Sequence, residues 1–232
     1  MGPLKVLTSE HIRFANREEA GKLLARALME EGLARPIVLG IPRGGVVVAN
    51  RIAQEMDADL DLVFAHKLGA PGQPECAIGA VAEDGNVIVD RNLYFPISRA
   101  YLEEEKKNQL LAMENRKNAY RFVLPKLPLK NRTVIVTDDG AAMGYTLEAA
   151  LGAVRSQKPE KIILALPVGP RETLARLAQL ADETVCLVAP GWFEGVSQVY
   201  DDFPQAEDPQ VLRILEKERE RRSQSREESQ TA

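Results

Sequence analysis

The sequence predicts an α/β protein, a three-layer sandwich around a central and mostly parallel β-sheet. Three observations support this class. Short apolar runs typical of buried parallel strands recur along the chain. Segments with helical spacing of apolar residues alternate with these runs, as in right-handed βαβ units. The composition is 45% hydrophobic and 28% charged over 232 residues, which is ordinary for a globular protein that builds a core.

Local signals mark where the helices and strands of the first half begin and end. Asn16 opens a capping box, and Gly32 is a natural helix stop. A Pro-Arg-Gly-Gly turn separates the next strand from its helix, and the Gly- and Pro-rich residues 67–75 predict a loop. Asp84-Gly85 predicts the turn of a hairpin. The predicted elements of this half are a helix over 16–32, strands over 36–41 and 61–66 with a helix over 46–56 between them, and a hairpin over 77–89.

The second half repeats the alternation of strands and helices. It follows a long charged helix over 98–121, whose early glutamates and later basic residues suit the helix dipole. We expect one domain over 1–215 that carries this helix as an insertion. The charged and polar residues 216–232 predict a disordered tail. The predicted elements of this half are strands over 133–137, 161–166 and 184–188, and helices over 145–156 and 171–180.

Charge and cysteine usage exclude several classes of function. A net charge of −4 leaves no electrostatic footprint for nucleic acid. Cys76 and Cys186 lie far apart and outside any CxxC pair, so neither a zinc site nor a disulfide framework is predicted. No apolar run approaches the roughly 20 residues of a membrane span, and residues 1–10 lack a signal-peptide core. We therefore expect a cytoplasmic protein that binds neither nucleic acid nor membrane.

The most informative segment is 134–146, where a buried strand ends in two adjacent acids, Asp138 and Asp139. A loop of small residues and then a helix follow at once. Ligands of parallel sheets bind at the carboxyl ends of the strands, so the position suits a site. Glycines let the main chain approach an anion, and the N–H groups there would form a phosphate cradle. The two acids suit the vicinal hydroxyls of a ribose, which predicts a ribose 5-phosphate site. The alternative is an acidic strand end and a turn that bind nothing.

This segment resembles the signature with which type I phosphoribosyltransferases bind 5-phosphoribosyl-1-pyrophosphate (PRPP): an apolar strand, two acids, a small-residue loop, then Gly and Thr. The order of elements agrees with that family over 12–205, and the PRGG turn and KLGAPG loop are similar to an uncharacterised bacterial and archaeal branch. The resemblance implies the type I phosphoribosyltransferase fold, with a small hood from 1–15 and 189–210. It also implies transfer of the 5-phosphoribosyl group from PRPP to a nitrogen nucleophile such as a nucleobase, with release of pyrophosphate.

The resemblance assigns roles to residues of this sequence. Asp138 and Asp139 would bind the ribose hydroxyls, and either could hold Mg²⁺ through water, the ion otherwise arriving with PRPP. We favour Asp139 as the general base. The 5-phosphate would lie in the loop formed by Gly140, Ala141, Ala142, Met143, Gly144, Tyr145 and Thr146.

A turn and a loop supply cations for the pyrophosphate. The resemblance places pyrophosphate at 40–45, where Gly44 frees the backbone and Arg43 offers a planar fork of donors. Lys67 would face the pyrophosphate at the start of a lid that ends near residue 77 and shields the sugar from water. Both cations have a plainer interpretation, as a surface arginine and a solvated loop lysine.

Two features leave the activity open. The family usually has Thr or Ser where this chain has Met143, and a lost hydroxyl donor to a charged phosphate costs roughly 1.5–3 kcal/mol; Thr146 remains as another hydroxyl. Trp192 and Phe193 either stack on a planar acceptor or close the core. The acceptor and the assembly of identical chains stay undetermined. A non-catalytic regulatory protein that binds PRPP or a nucleotide on the same fold is the alternative to the enzyme.

Overall fold

A computed structural model describes residues 2–10, 12–90, 93 and 96–231. Within these residues it contains nine strands and six α-helices. In chain order they are β1 (Leu4–Thr8), α1 (Arg17–Met29), β2 (Ile37–Gly40), α2 (Gly44–Glu55), β3 (Asp59–Leu62), β4 (Ala65–Ala70), β5 (Gln73–Ala82), β6 (Val87–Val89), α3 (Arg99–Val123), β7 (Thr133–Thr137), α4 (Tyr145–Ser156), β8 (Lys161–Val168), α5 (Arg171–Leu177), β9 (Glu183–Val188) and α6 (Asp208–Thr231).

Six strands form one parallel sheet in the order β1-β9-β8-β7-β2-β3, which confirms the predicted sheet. The middle strands are buried on both faces because their runs of Val, Ile and Leu leave no polar side to face water. β2 lies directly beside β7, with Gly40 opposite Thr137. The segments that follow these two strands therefore leave the same edge of the sheet side by side.

Helices cover both faces of this sheet and complete the three layers. Val38 and Ile135 pack with α1 and α2 on one face, whereas Leu39 and Val136 pack with α4 and α5 on the other. Successive strand residues point to opposite faces, so neighbouring positions in one strand serve different cores. Asn16 caps α1 as predicted, because its side chain accepts two N–H groups of the first turn.

A second, antiparallel sheet consists of β4, β5 and β6. The hairpin over 77–89 is confirmed, with Gly85 at a φ of 84° in its turn. The predicted loop over 67–75 is wrong, because these residues continue β4 and β5 around a tight turn at Pro71 and Gly72. Gly72 has a φ of 70°, so Pro-Gly shapes a turn inside the ladder and does not interrupt it. A lid made of these residues would be a hairpin and not a free loop.

Part of the predicted hood belongs to the main sheet. β1 pairs in parallel with β9, so residues 4–8 form an edge strand and the hood prediction is wrong for them. Five residues with weak alternation of apolar and polar side chains give little strand signal by themselves, and the pairing with β9 stabilises them as a strand. Residues 12–15 do join the segment after β9, since the Phe14 N–H donates to the Val199 carbonyl at 2.7 Å.

The predicted disordered tail over 216–232 is wrong where the structure describes its side chains, because α6 runs through it. Glu218 is 6% exposed and accepts a hydrogen bond from the Leu60 N–H at 3.1 Å. Arg222 donates both to Glu218 and to the Leu60 carbonyl. The charges of this segment thus cover the edge of β3, whose backbone groups have no further strand to pair with in the described sheet. Despite their length, neither α3 nor α6 is apolar enough to cross a membrane, and the same holds for every other helix in the described ranges.

Candidate functional site

Two segments that the sequence singles out meet at the carboxyl edge of the parallel sheet. The turn after β2 enters α2 at Gly44, and the loop after β7 enters α4 at Tyr145. A Cβ on Gly45 would lie 2.7 Å from Oδ1 of Asp138, and one on Gly44 would collide with the Asp139 carboxylate. Because only glycine fits both positions, the PRGG turn and the acid pair form one site.

Backbone N–H groups of both segments hold the Asp138 carboxylate. Its Oδ1 accepts from the Asp139 N–H at 2.8 Å, and the carboxylate also accepts from the Gly45 N–H. Burial, and then the neighbouring Asp139 carboxylate, raise the pKa of Asp138 well above its usual range, against the opposing effect of these hydrogen bonds. Asp138 therefore ties the acid pair to the start of α2.

Asp139 forms an ion pair that the sequence did not predict. Nε of Arg17 donates to Oδ2 of Asp139 at 2.8 Å, and the two side chains are 10% and 19% exposed. Burial raises the pKa of Asp139, and the guanidinium of Arg17 opposes that rise. The partners are 122 positions apart, and an arginine at the start of a helix resembles an ordinary surface residue. Only the placement of α1 against β7 and its loop reveals the pair.

Aromatic residues after β9 close over this ion pair. The Arg17 guanidinium lies 3.7 Å from the centroid of the Phe203 ring, and its Nη1 donates to the Pro204 carbonyl at 2.8 Å. The Tyr200 hydroxyl donates to the backbone carbonyl of Asp139 at 2.7 Å, and its ring stacks on Phe203 at 4.7 Å. This aromatic segment and the acid pair thus form one cluster.

The loop before α4 presents backbone N–H groups without partners. Gly144 is the N-cap of α4, with a φ of 75° and no capping side chain. In the described part of the chain, no hydrogen bond uses the N–H groups of residues 143–147. Earlier in the loop, Gly140 packs on Val168, and the Ala141 N–H donates to the Val168 carbonyl at 2.9 Å. The donors suited to an anion therefore lie at the later end of the predicted loop.

The side chains of this loop differ in their surroundings. Met143 is 52% exposed, Ala142 is exposed as well, and Thr146 is half-buried in the first turn of α4. Tyr145 is buried, and burial together with a hydrogen bond to Asp90 raises its pKa to about 12. The groups of this loop that suit an anion are therefore the backbone donors and the Thr146 hydroxyl, more than the exposed side chains.

Arg43 lines a cavity between the PRGG turn and the aromatic segment. The cavity measures about 370 Å³ and is lined by Arg17, Arg43, Gly44, Phe203, Gln205 and Ala206. Among the described residues, the Arg43 side chain makes no hydrogen bond or ion pair, although its charge acts on Asp208 and Tyr120. Arg17, in contrast, uses donors on Asp139 and Pro204. A guanidinium on a cavity wall whose N–H groups make no hydrogen bond is a ready donor for an anionic ligand.

The other predicted residues have partners outside the acid pair and the PRGG turn. Lys67 lies on β4, and its Nζ pairs with Glu75 of β5 at 2.7 Å, with both side chains exposed. Trp192 is 72% exposed, and its Nε1 donates to Glu194 at 3.0 Å. Phe193 packs against the core. Of the two interpretations of this aromatic pair, core closure fits Phe193 and an available stacking surface fits Trp192.

A divalent cation has few protein ligands at this site. In the part of the chain that the structure describes, no group of three or more His, Cys, Asp or Glu side chains could hold a metal ion. The two acids already accept hydrogen bonds from the Gly45 N–H and from Arg17. This donor set does not fit a metal site made of protein alone. It does fit Mg²⁺ held by substrate phosphates and water, with one carboxylate in reach.

Comparisons with known proteins identify the family of this chain. The family model described as "Phosphoribosyl transferase domain" matches residues 14–204. A Mycobacterium tuberculosis protein provisionally named phosphoribosyl transferase Rv0571c is 37% identical over 206 residues, which cover 88% of this chain and 46% of that protein. The chain therefore spans about half the length of the curated relatives it matches.

One solved structure is similar over nearly its full length. The crystal structure of TT1426 from Thermus thermophilus is 42% identical and has a TM-score of 0.75, over 89% of this chain and 99% of that one. The region matched by the family model contains the PRGG turn, the acid pair and its loop, and the aromatic segment after β9. By this match and by its fold, the chain belongs to the phosphoribosyl transferase domain family.

Proposed function

We propose that this chain transfers the 5-phosphoribosyl group from PRPP to a nitrogen nucleophile and releases pyrophosphate. One observation carries the proposal: a row of free N–H groups, an acid pair and an arginine without a hydrogen bond or ion pair meet at one edge of the sheet within the described structure. The 5-phosphate, the ribose hydroxyls and the pyrophosphate of PRPP need these three kinds of partner.

Each part of PRPP has a matching group in this arrangement. The 5-phosphate accepts from the N–H groups of residues 143–147, where the dipole of α4 adds positive potential. The ribose hydroxyls donate to Asp138 and Asp139; the latter keeps lone pairs free because Arg17 contacts only its Oδ2. Arg43 donates to the pyrophosphate, whose negative charge grows as its bond to the sugar breaks.

In this proposal, Mg²⁺ enters the site bound to the pyrophosphate of PRPP. Mg²⁺ bound to the pyrophosphate neutralises part of the charge on the leaving group. Asp138 and Asp139 are the residues of this chain that would reach such an ion, through a water molecule. They orient the ribose at the same time, so their carboxylates serve binding more than metal retention.

We propose Lys67 as a second cation for the pyrophosphate, carried by the β4–β5 hairpin. Its ion pair with Glu75 joins two exposed side chains, and such pairs contribute little to stability. A phosphate oxygen is a more strongly charged acceptor than a single carboxylate. The exchange of Glu75 for pyrophosphate would therefore cost little.

The acceptor side of the proposal rests on the segment after β9. Trp192 offers an exposed ring face on which a planar base can stack. Asp139 is our candidate for taking the proton of the acceptor nitrogen, because burial raises its pKa in the direction that a general base needs. We expect nucleobases to be the first compounds worth testing as acceptors.

Calorimetric titration with PRPP and Mg²⁺ tests the binding step. The native chain should bind PRPP, and the double variant Asp138→Asn, Asp139→Asn should lose that binding. Each charge-assisted acceptor contributes roughly 1.5–3 kcal/mol, or about one to two powers of ten in affinity. Asp57→Asn is the matched control, since that side chain is 92% exposed. A folded native chain that does not bind PRPP would contradict the proposal, and release of pyrophosphate with a nucleobase would complete it.

A non-catalytic regulator that binds PRPP or a nucleotide is the second candidate. The pair between Arg17 and Asp139 favours it, because it neutralises the carboxylate that would otherwise act as base. The lack of a hydroxyl at Met143 points the same way. PRPP binding without pyrophosphate release, across all nucleobases, would support the regulator and contradict the enzyme.

A further inference from the structure

The short helix α5 contacts two consecutive carbonyl groups of the loop before α4. The Thr173 hydroxyl donates to the Ala142 carbonyl at 2.9 Å. Nη2 of Arg176, one turn further along α5, donates to the Met143 carbonyl. The fit is close, because a Cβ on Gly144 would lie 2.7 Å from Cγ2 of Thr173. Two side chains of one helix thus fix the direction of two successive peptide units.

These contacts determine where the next N–H groups point. In a trans peptide, the C=O and N–H bonds lie in one plane and point in opposite directions. The Ala142 carbonyl faces α5, so the Met143 N–H points away from α5. The Met143 carbonyl also faces α5, so the Gly144 N–H points away as well. Both N–H groups belong to the row that has no partner in the described structure.

Arg176 also contacts a charge at the start of α4. Its Nη1 pairs with Glu148, which lies in the first turn of that helix. A carboxylate there would repel an anion bound at the helix N-terminus. The ion pair reduces this repulsion, and the two side chains are only 38% and 22% exposed. Arg176 therefore affects the free N–H groups before α4 in two ways, by orienting the loop backbone and by pairing with the charge of Glu148.

We infer that Thr173 and Arg176 are positioning residues for the anion that binds the loop. They hold the N–H groups of Met143 and Gly144 toward the anion, and Arg176 screens Glu148. The inference rests on the proposed function for calling that anion the 5-phosphate of PRPP. The missing hydroxyl at Met143 increases the demand on these backbone donors, and donors held in place before binding need no reorganisation when the anion arrives.

Titration of the full chain with inorganic phosphate, ribose 5-phosphate and pyrophosphate tests the inference. Thr173→Val and Arg176→Ala should each weaken phosphate and ribose 5-phosphate about tenfold, the effect of roughly one hydrogen bond. Pyrophosphate affinity should change less than about twofold, because the Arg43 turn is untouched. Thr173→Ser keeps the hydroxyl and should bind as the native chain does. If Thr173 and Arg176 only stabilised the fold, their replacement would lower the affinity for all three ligands alike.

Arg155→Ala is the matched control for Arg176→Ala. Arg155 makes the same two kinds of contact at the far end of α4, with the Asp182 carboxylate at 2.9 Å and the Leu180 carbonyl at 3.1 Å. Its loss should leave all three affinities unchanged. Adding Glu148→Gln to Arg176→Ala should recover the part of the loss that comes from charge.

The outcomes separate this inference from the proposed function. Folded Thr173→Val with native affinity for phosphate and ribose 5-phosphate would overturn the inference, and so would a native chain that binds neither. If Arg176→Ala fails to fold, Thr173→Val and Arg176→Lys decide the question, the latter by an intermediate loss. The expected losses without any PRPP turnover would support the inference and contradict the enzyme. Turnover with an unchanged KM for PRPP in the variants would contradict the inference and support the enzyme.

Discussion

Replacement of Arg17 by alanine should destabilise the chain by about 3 kcal/mol at neutral pH. Arg17 and Asp139 form an ion pair at 2.8 Å with side chains only 10% and 19% exposed. Removing one partner of a buried pair costs roughly 3–5 kcal/mol, and the remaining exposure favours the lower end. The contacts with Phe203 and Pro204 belong to the same cluster and do not add independently. In a chain of this size the expected loss of melting temperature is about 6–12 °C.

The pH dependence of this loss identifies its cause. Burial raises the pKa of Asp139, and Arg17 opposes that rise, so the variant should have a still higher pKa. When an acid has a higher pKa in the folded than in the unfolded state, stability falls as pH rises from the unfolded toward the folded pKa. The difference between native chain and variant should therefore be larger near neutral pH than at about pH 5.

Thermal unfolding of both proteins at the two pH values measures the effect. Arg13→Ala is the control, because Arg13 also fastens the segment after β9 but pairs with Asp201 through side chains that are 55% and 60% exposed. Such a pair should contribute about 0–1 kcal/mol. If Arg17→Ala costs no more than Arg13→Ala, or costs the same at both pH values, the buried pair does not hold the cluster together.

Three further changes test other contacts. Arg43→Ala should weaken pyrophosphate binding about tenfold or more in calorimetry, with a melting temperature within about 2 °C of native, because the side chain makes no hydrogen bond or ion pair in the described structure. Gly45→Ala should abolish PRPP binding, since its Cβ would lie 2.7 Å from Oδ1 of Asp138; Gly152→Ala, whose Cβ would meet no described atom beyond its own helix within 4 Å, should instead stabilise α4 by about 0.5–1 kcal/mol. Glu218→Ala should cost about 3 kcal/mol in denaturant unfolding, because it removes the carboxylate that binds two arginines and a β3 N–H. Native pyrophosphate affinity, retained PRPP binding or native stability, respectively, would contradict these expectations.

The parallel sheet and the two segments of the site were predictable because their signals are local. An apolar run that ends in Asp138 and Asp139, followed by small residues, carries strand, acids and loop in thirteen positions. Arg17 and Arg176 carry no such signal, since their partners lie 122 and 33 positions away. A helical arginine resembles a solvated one until the packing of its helix is known.

Composition is misleading at two places in this sequence, for one physical reason. Gly and Pro over 67–75 predict a loop, but Gly72 only turns the chain between two paired strands. The charges after residue 215 predict disorder, but Glu218 and Arg222 bind the backbone of the edge strand β3. Whether turn residues or charges are ordered depends on a partner elsewhere in the fold, which composition does not specify.

The three arginines around the site differ in how many of their donors already have partners in the fold. Arg17 is buried and paired, so its charge compensates Asp139 and its loss should appear in stability. Arg176 is half-exposed and uses its donors on Glu148 and a loop carbonyl, so we expect it to affect anion binding through the loop backbone and through the charge of Glu148. Arg43 alone of these three makes no hydrogen bond or ion pair among the described residues, although its charge acts on Asp208 and Tyr120. A polyanion is bound best by a cation whose donors are not already used, so we expect pyrophosphate to bind Arg43 rather than Arg17 or Arg176.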